Sequence, residues 1–298
     1  MYRRWIGVLL ALSISLPTAA RADSLEVVFW NLENFFDSHA DGVSESEMDF
    51  SAGGVRHWTK KRFYTKCAGV AKVLLMIADS QGRLPDAVGF AEIENAFVLR
   101  QLIQSTALRK LDYKVVYFES QDHRGIDCGL IYRASTLHLT EAQPKHVYDS
   151  SGSVMPTRDI LLVRFDSLAV LVNHHPSKVG GKQERRSLAM ERMNFLCDSL
   201  MRSGCRGVLC IGDFNEDQWH SGGQGTIKYN GAWEKIDGFF SRGALQVRET
   251  VFKDEILMEP DRNWGGMKPR RTYSGLRYHG GISDHLPVIF RVNTNISN

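Results

Sequence analysis

Five short apolar runs in this chain each lead to side chains that packing alone does not explain. Val27-Val28-Phe29-Trp30 runs into Asn31-Leu32-Glu33-Asn34, and Ala87-Val88-Gly89-Phe90 runs toward Glu92. Val170-Leu171-Val172 is followed by Asn173-His174-His175-Pro176-Ser177, and Leu209-Cys210-Ile211 by Gly212-Asp213-Phe214-Asn215. Gly281-Ile282-Ser283-Asp284-His285-Leu286-Pro287 precedes the last apolar run. Gathered at one edge, these groups form an acidic cleft that also carries histidine. Carboxylate and amide oxygens, without clustered thiolates or a histidine triplet at metal spacing, suit a hard cation such as Mg²⁺ or Mn²⁺ and argue against a zinc centre. Such a cation neutralises a phosphate and the charge that builds on its oxygens during displacement. A histidine backed by a carboxylate takes a proton from water near neutral pH. The chemistry these parts compose is hydrolysis of a phosphate ester.

The elements that must position them are short. Leu25 to Trp30, Ala87 to Ala91, Tyr113 to Phe118, Gly129 to Tyr132, Ile160 to Phe165, Leu168 to Asn173, Val208 to Ile211 and Leu286 to Val292 read as strands, rich in β-branched or aromatic residues and bounded by polar or turn residues. Thr59 to Ala78 places Phe63, Cys67, Val70, Val73, Leu74 and Ile77 on one helical face, and Gln183 to Arg202 does the same with Leu188, Met190, Met193, Leu196 and Leu200. Helix and strand mix without regular βαβ alternation, which predicts an α+β layered fold. No internal repeat or low-complexity linker divides the chain, so residues 23–298 read as one domain. The polar, glycine-containing stretches Ser38 to Val55 and Gln218 to Tyr229 each follow a site motif. They suit loops that select substrate and equally plain surface insertions.

Residues 1–22 have the layout of a secretory signal peptide. Arg3 and Arg4 precede the apolar run Ile6 to Leu16, and Ala20-Arg21-Ala22 offers a small-residue cleavage pattern before Asp23. The expected location is therefore periplasmic or extracellular, and no later stretch is long and apolar enough for stable membrane insertion. Of the 37 Lys and Arg residues three lie in this leader, which leaves 34 against 34 acidic residues and removes the formal net charge of +3. A balanced chain without an evident basic–aromatic groove is not a general polyanion coat. Five cysteines form no C-x-x-C pair, and an odd number leaves at least one thiol unpaired within a monomer. Cys128 and Cys210 sit in apolar runs as small buried residues, and Cys197–Cys205 is one conceivable disulfide.

The motifs Asn31-Leu32-Glu33, Glu92, Gly212-Asp213-Phe214-Asn215 and Ser283-Asp284-His285-Leu286-Pro287 together resemble the endonuclease/exonuclease/phosphatase family, which includes pancreatic deoxyribonuclease, apurinic-site endonucleases, sphingomyelinases and inositol-polyphosphate phosphatases. Each motif is weak alone; the ordered set, spanning nearly the whole chain after the leader, is specific. The resemblance implies a four-layer α/β/β/α sandwich in which two mainly antiparallel sheets pack face to face. It implies that Glu92 is the principal metal-binding glutamate, that Asn31 and Glu33 help hold the metal, and that Asp284 is a late metal contact. His285 resembles the histidine that acts as general base or contacts the scissile phosphate, and Asp237 resembles the aspartate paired with it. Asp213 and Asn215 match the pair that orients the attacking water. His174 resembles a second active-site histidine, with His175 a poorer fit to the register, and Arg158 resembles a substrate-phosphate arginine.

Arg124-Gly125-Ile126-Asp127 resembles a loop beside the active site of some relatives. It suits a phosphate-presenting turn, with Arg124 and Asp127 as substrate-binding candidates, and equally a tight turn closed by a local ion pair. Lys268 to Arg271 is either an anion contact or a solvated loop. The expected substrate is a phosphate ester, with DNA or RNA first and a phospholipid headgroup, sugar phosphate or other small ester second. A non-catalytic binding protein on the same fold would be free to lose Glu92 or the terminal Asp-His pair, and this chain keeps Glu92, Asp213, Asn215, Asp284 and His285 together.

Overall fold

The computed structural model describes residues 24–39, 44–178, 183–218 and 224–293. The leader-like segment 1–22 lies outside the described residues. Strand β1 (Ser24–Phe35) is followed by a short helix α1 (Glu45–Asp49), helix α2 (Lys60–Gln81), β2 (Ala87–Ile93), α3 (Ala96–Gln104), β3 (Tyr113–Tyr117), β4 (Asp127–Arg133), β5 (Leu139–Lys145), β6 (Ile160–Phe165), β7 (Leu168–His174), α4 (Gln183–Arg202) and β8 (Gly207–Asp213). The hairpin β9 (Ile227–Tyr229) and β10 (Ala232–Glu234) comes next, then β11 (Asp237–Gly243) and β12 (Gln246–Val251). Two further hairpins, β13 (Met258–Pro260) with β14 (Met267–Pro269) and β15 (Tyr273–Ser274) with β16 (Arg277–Tyr278), precede the last strand β17 (Val288–Asn293).

Eleven of these strands build two sheets, in the orders β12-β17-β1-β2-β4-β3 and β11-β8-β7-β6-β5. Only β1–β2 and β7–β8 pair in parallel within them; the other neighbours are antiparallel. Strand alternation explains the layers. In β1, Val27 and Phe29 face Val163, Val170, Val172 and Ile211 of the other sheet, while Val28, Trp30 and Leu32 face the helices α2 and α3. On the far side, Leu162, Leu171, Val208 and Cys210 pack beneath Ala189, Met193, Leu196 and Leu200 of α4. The result is the expected four-layer α/β/β/α sandwich with mainly antiparallel sheets.

The helices end where local chemistry dictates. Thr59 caps α2 by accepting the Arg62 N–H, and Gly82, with φ 69°, closes its other end in the left-handed region. Asn95 caps α3 through the Val98 N–H. The five thiols are free and buried. The conceivable Cys197–Cys205 pairing is not found, and the Cys197 Sγ lies instead 3.2 Å from that of Cys210. Among the described residues no helix is long and apolar enough to cross a membrane.

Candidate active site

Register sets the site. In the second sheet His174 on β7 pairs with Asp213 on β8, and Asp213 pairs in turn with Asp237 on β11, so three chemistry-bearing residues form one row. In the first sheet Asn31 aligns with Ala91, after which the β1–β2 register shifts and Glu92 follows. The Asn31 amide donates to the Asp213 carboxylate at 3.1 Å and stitches the two sheets together at this edge. Glu33, Asn34, Glu92 and Asn215 all have positive φ, between 45° and 62°. This conformation costs a non-glycine residue roughly 1 kcal/mol or more, and such strain concentrates at functional sites.

One half of the site is a histidine–aspartate pair. The His285 Nδ1 lies 2.8 Å from the Asp237 carboxylate. Its backbone is fixed by Ser283, whose hydroxyl accepts the His285 N–H and donates to the Asn31 carbonyl, while the Trp30 indole N–H donates to the His285 carbonyl. The free His285 Nε2 is 4.0 Å from Asp213 and from Asp284. The His174 Nε2 is 3.7 Å from Asp213 and 3.9 Å from Glu92. These separations exceed direct hydrogen bonds and suit an oxygen held between the groups. Burial works against a charged His285, but Asp237, Asp213 and Asp284 outweigh it and hold its pKa well above the usual histidine value. Burial and the Asp237 charge push Asp213 up to about 7. Burial, with Arg158 and Arg124 nearby, keeps His174 well below the ordinary value and therefore neutral. His175, buried with both ring nitrogens unpartnered, packs edge-on against Phe214 at 5.2 Å.

The other half gathers three carboxylates, Glu33, Glu92 and Asp284, among three cations, Arg124, Arg271 and Lys66. Glu92 accepts the Asn34 N–H at 2.6 Å and lies 3.5 Å from Arg124, which itself donates to Asn34 at 2.7 Å. Glu33 accepts the Thr272 N–H at 2.6 Å, and Arg271 bridges Glu33 at 3.4 Å and Asp284 at 2.5 Å. Arg271 and the buried Lys66 each sense Glu33, Glu92 and Asp284. Burial and the Asp284 charge together push Glu33 up to about 7. An oxygen-only donor set fits a hard divalent cation. Asp213, Asp237 and His285 also offer ligand atoms within 4.8 Å of one another. Asp237 and His285 Nδ1 are, however, hydrogen-bonded to each other.

Two of the sequence candidates are placed differently. Arg158 is buried, ion-paired with Asp122 at 3.0 Å, and donates to the His175 carbonyl at 2.9 Å, so it props the His174–His175 segment. Asp127 accepts from the Tyr117 hydroxyl at 2.9 Å and the Ser120 N–H at 3.2 Å, inside the wall of the first sheet. Burial pushes Asp127 from 3.8 up to about 6. An acid raised in the fold takes up its proton more readily there than when unfolded. Its stabilisation is therefore greatest below the unfolded value and is lost as pH rises through about 6, by roughly 2–3 kcal/mol in full. Asp127→Asn is expected to flatten this part of the stability profile, measured as urea midpoints at pH 4.5 and pH 7.5. An unchanged slope would contradict the assignment.

Two further cations reach the site: Lys66, which no motif marks, and Arg271, from the basic stretch Lys268 to Arg271. Lys66 donates to the Glu33 carbonyl at 2.8 Å and to the Thr272 hydroxyl at 3.0 Å, tying α2 to the site. Its signal was its position on the apolar stripe of α2, between Phe63 and Val70. Arg271 lies in the basic stretch before Ser283-Asp284-His285, and only the fold reveals its two carboxylate partners. Gly281 lets these segments meet, because a Cβ there would lie 1.8 Å from the Arg270 carbonyl oxygen. Gly281→Ala is expected to cost roughly 1–3 kcal/mol by overpacking, read as a lower urea midpoint together with slower turnover. A variant as stable as the parent would show that the loop yields freely.

The comparisons agree with this architecture. The structure resembles a humanized D. rerio TDP2 carrying 14 mutations, with 17% identity, a TM-score of 0.54, and coverage of 92% of this chain and 100% of that one. D. rerio TDP2 complexed with a single-strand DNA product matches with 16% identity and a TM-score of 0.55, over 91% of this chain and 99% of that one. An endonuclease/exonuclease/phosphatase family protein from Bacteroides thetaiotaomicron matches with 16% identity and a TM-score of 0.53, over 90% and 97%. By sequence, no curated protein matches. A family model described as "Endonuclease/Exonuclease/phosphatase family" matches residues 26–242 and 218–294, so this chain belongs to the endonuclease/exonuclease/phosphatase family, whose members are hydrolases of phosphoester bonds.

Proposed function

We propose that the protein is a divalent-metal-dependent phosphodiesterase of nuclease type, acting on a DNA or RNA backbone. One observation carries the reading: a carboxylate cluster suited to a hard cation faces a His285–Asp237 pair across Asp213. Glu92 and Asp284 would hold Mg²⁺ or Mn²⁺, with Glu33 and Asn31 behind them. When bound, that ion supplies Lewis-acid neutralisation of a phosphate oxygen.

The chain's own residues do the rest. Asp213, steadied by the Asn31 amide and the Asn215 N–H, accepts a proton from the attacking water. His285, oriented by Asp237, keeps a proton on Nε2 and presents it to the phosphate or the leaving oxygen. Neutral His174 contacts a second phosphate oxygen. Arg124 and Arg271 are already engaged with Asn34, Glu33 and Asp284, which leaves little free positive charge for a dianionic monoester and favours a monoanionic diester. The leader-like N-terminus supports action outside the cytoplasm, and the DNA product held by D. rerio TDP2 supports a nucleic-acid backbone.

The test is a substrate panel with Mg²⁺: single- and double-stranded DNA, RNA, bis-(p-nitrophenyl) phosphate, p-nitrophenyl phosphate and sphingomyelin. Turnover of the diesters well above the monoester is expected. Preference for p-nitrophenyl phosphate would make the protein a phosphatase, and preference for sphingomyelin would move the substrate to a lipid headgroup.

A further inference from the structure

The hairpins beside the cleft carry a basic and aromatic surface that the catalytic scheme does not use. Residues 262–279 contain five Lys or Arg and no Asp or Glu. Arg262, Lys268, Arg277 and His279 line a cavity of about 350 Å³ in which Glu259 is the single acid. Lys268 lies 3.8 Å from Glu259. Arg262 and Arg277 have no carboxylate partner among the described residues. Unpaired guanidinium groups converging on a concavity are suited to a phosphate. This cavity is joined to the catalytic wall. The His279 N–H donates to the Thr272 carbonyl at 2.9 Å, and the Thr272 N–H donates to Glu33.

Trp264 follows Asn263, which lines this cavity, and is 62% exposed. Its indole rests on Gly231, where a Cβ would lie 3.0 Å from three ring atoms, so only glycine leaves room for it. The turn that carries it is pinned. Lys228 donates to the Gly265 carbonyl at 2.6 Å and pairs with Asp261 at 3.0 Å, and Asp261 accepts the N–H groups of Asn263 and Trp264. Tyr229, 60% exposed, projects from the neighbouring hairpin. A fixed aromatic with an open face beside cations is the arrangement that holds an unpaired base and its phosphate, since bases in a duplex are already stacked on each other.

We propose that this surface is a subsite for single-stranded nucleic acid flanking the scissile bond, with a neighbouring phosphate among Arg262, Lys268, Arg277 and His279 and a base stacked on Trp264. The proposal rests on the phosphodiester reading and names its substrate class.

The test is fluorescence anisotropy of a short fluorescein-labelled oligothymidylate titrated with the full chain in EDTA, where no turnover interferes. Trp264→Ala is expected to bind about 10-fold or more weakly, the scale of one lost base–aromatic stack, and Trp264→Phe to keep most of the affinity. The Arg262→Gln, Arg277→Gln double variant is expected to flatten the slope of log affinity against log salt by about 0.7, the value for one lost phosphate contact on a single strand. Thermal melts monitored by circular dichroism confirm that each variant is folded. Variants that bind like the parent, a blunt duplex bound as tightly as the strand, or phosphatidylglycerol vesicles captured in place of the strand would each overturn the proposal. Hydrolysis of bis-(p-nitrophenyl) phosphate, which has neither a base nor a second phosphate, reads the phosphodiesterase separately. Its absence with strand binding intact overturns that reading alone.

Discussion

His285→Ala is expected to slow phosphodiester hydrolysis by about 10²–10⁴-fold, the range for a positioned acid–base group, while the protein still melts cooperatively. The reason is geometric. His285 is held from three sides, by Asp237 at Nδ1, Ser283 at its N–H and the Trp30 indole at its carbonyl, so that Nε2 faces Asp213 and Asp284. Losing the ring removes the proton carrier but none of the strand pairing. Asp237→Asn should act through the same ring, because it removes the charge that holds the proton on His285. The double variant is therefore expected to lose about as much as His285→Ala alone, since residues acting as a unit are not additive. Initial rates on bis-(p-nitrophenyl) phosphate for the two single variants and the double decide the matter. Losses that multiply would mean that Asp237 does work independent of the histidine.

Glu92→Gln is expected to reduce the same rate by roughly three orders of magnitude, because a metal clamp on phosphate supplies several kcal/mol and about 4 kcal/mol corresponds to a thousandfold. The glutamate is set at the site by an unusual backbone, φ 62°, and by the Asn34 N–H on one oxygen. Glutamine keeps the volume and one oxygen but not the charge, so the fold should tolerate it. Mn²⁺ binding followed by electron paramagnetic resonance should weaken in parallel. A Glu92→Gln protein with full rate and unchanged Mn²⁺ affinity would transfer the cation to other residues.

The sequence reveals most of this site because strand ends are readable. Val, Ile and Phe runs set the register, and a polar residue directly after such a run stands at the sheet edge, as Asn31, Glu92, His174 and Asp213 do. The parallel β1–β2 and β7–β8 pairs then align those ends. Other features depend on tertiary contacts. Strands β5 and β12, Leu-Thr-Glu-Ala-Gln-Pro-Lys and Gln-Val-Arg-Glu-Thr-Val, lie at sheet edges, half-buried and without an apolar run, and so carry no clear strand signal. Arg158 reads as a phosphate arginine until Asp122, 36 residues earlier, is found beside it. Cys197 faces Cys210 rather than Cys205 because α4 packs across β8.

The most direct measurement is hydrolysis of bis-(p-nitrophenyl) phosphate by the purified protein in Mg²⁺, in EDTA, and in EDTA followed by excess Mg²⁺. Turnover in Mg²⁺ that vanishes in EDTA and returns on re-addition is the expected result. Turnover that persists in EDTA, or none in Mg²⁺ or Mn²⁺ from a folded protein, would contradict metal-dependent phosphoester hydrolysis at this site.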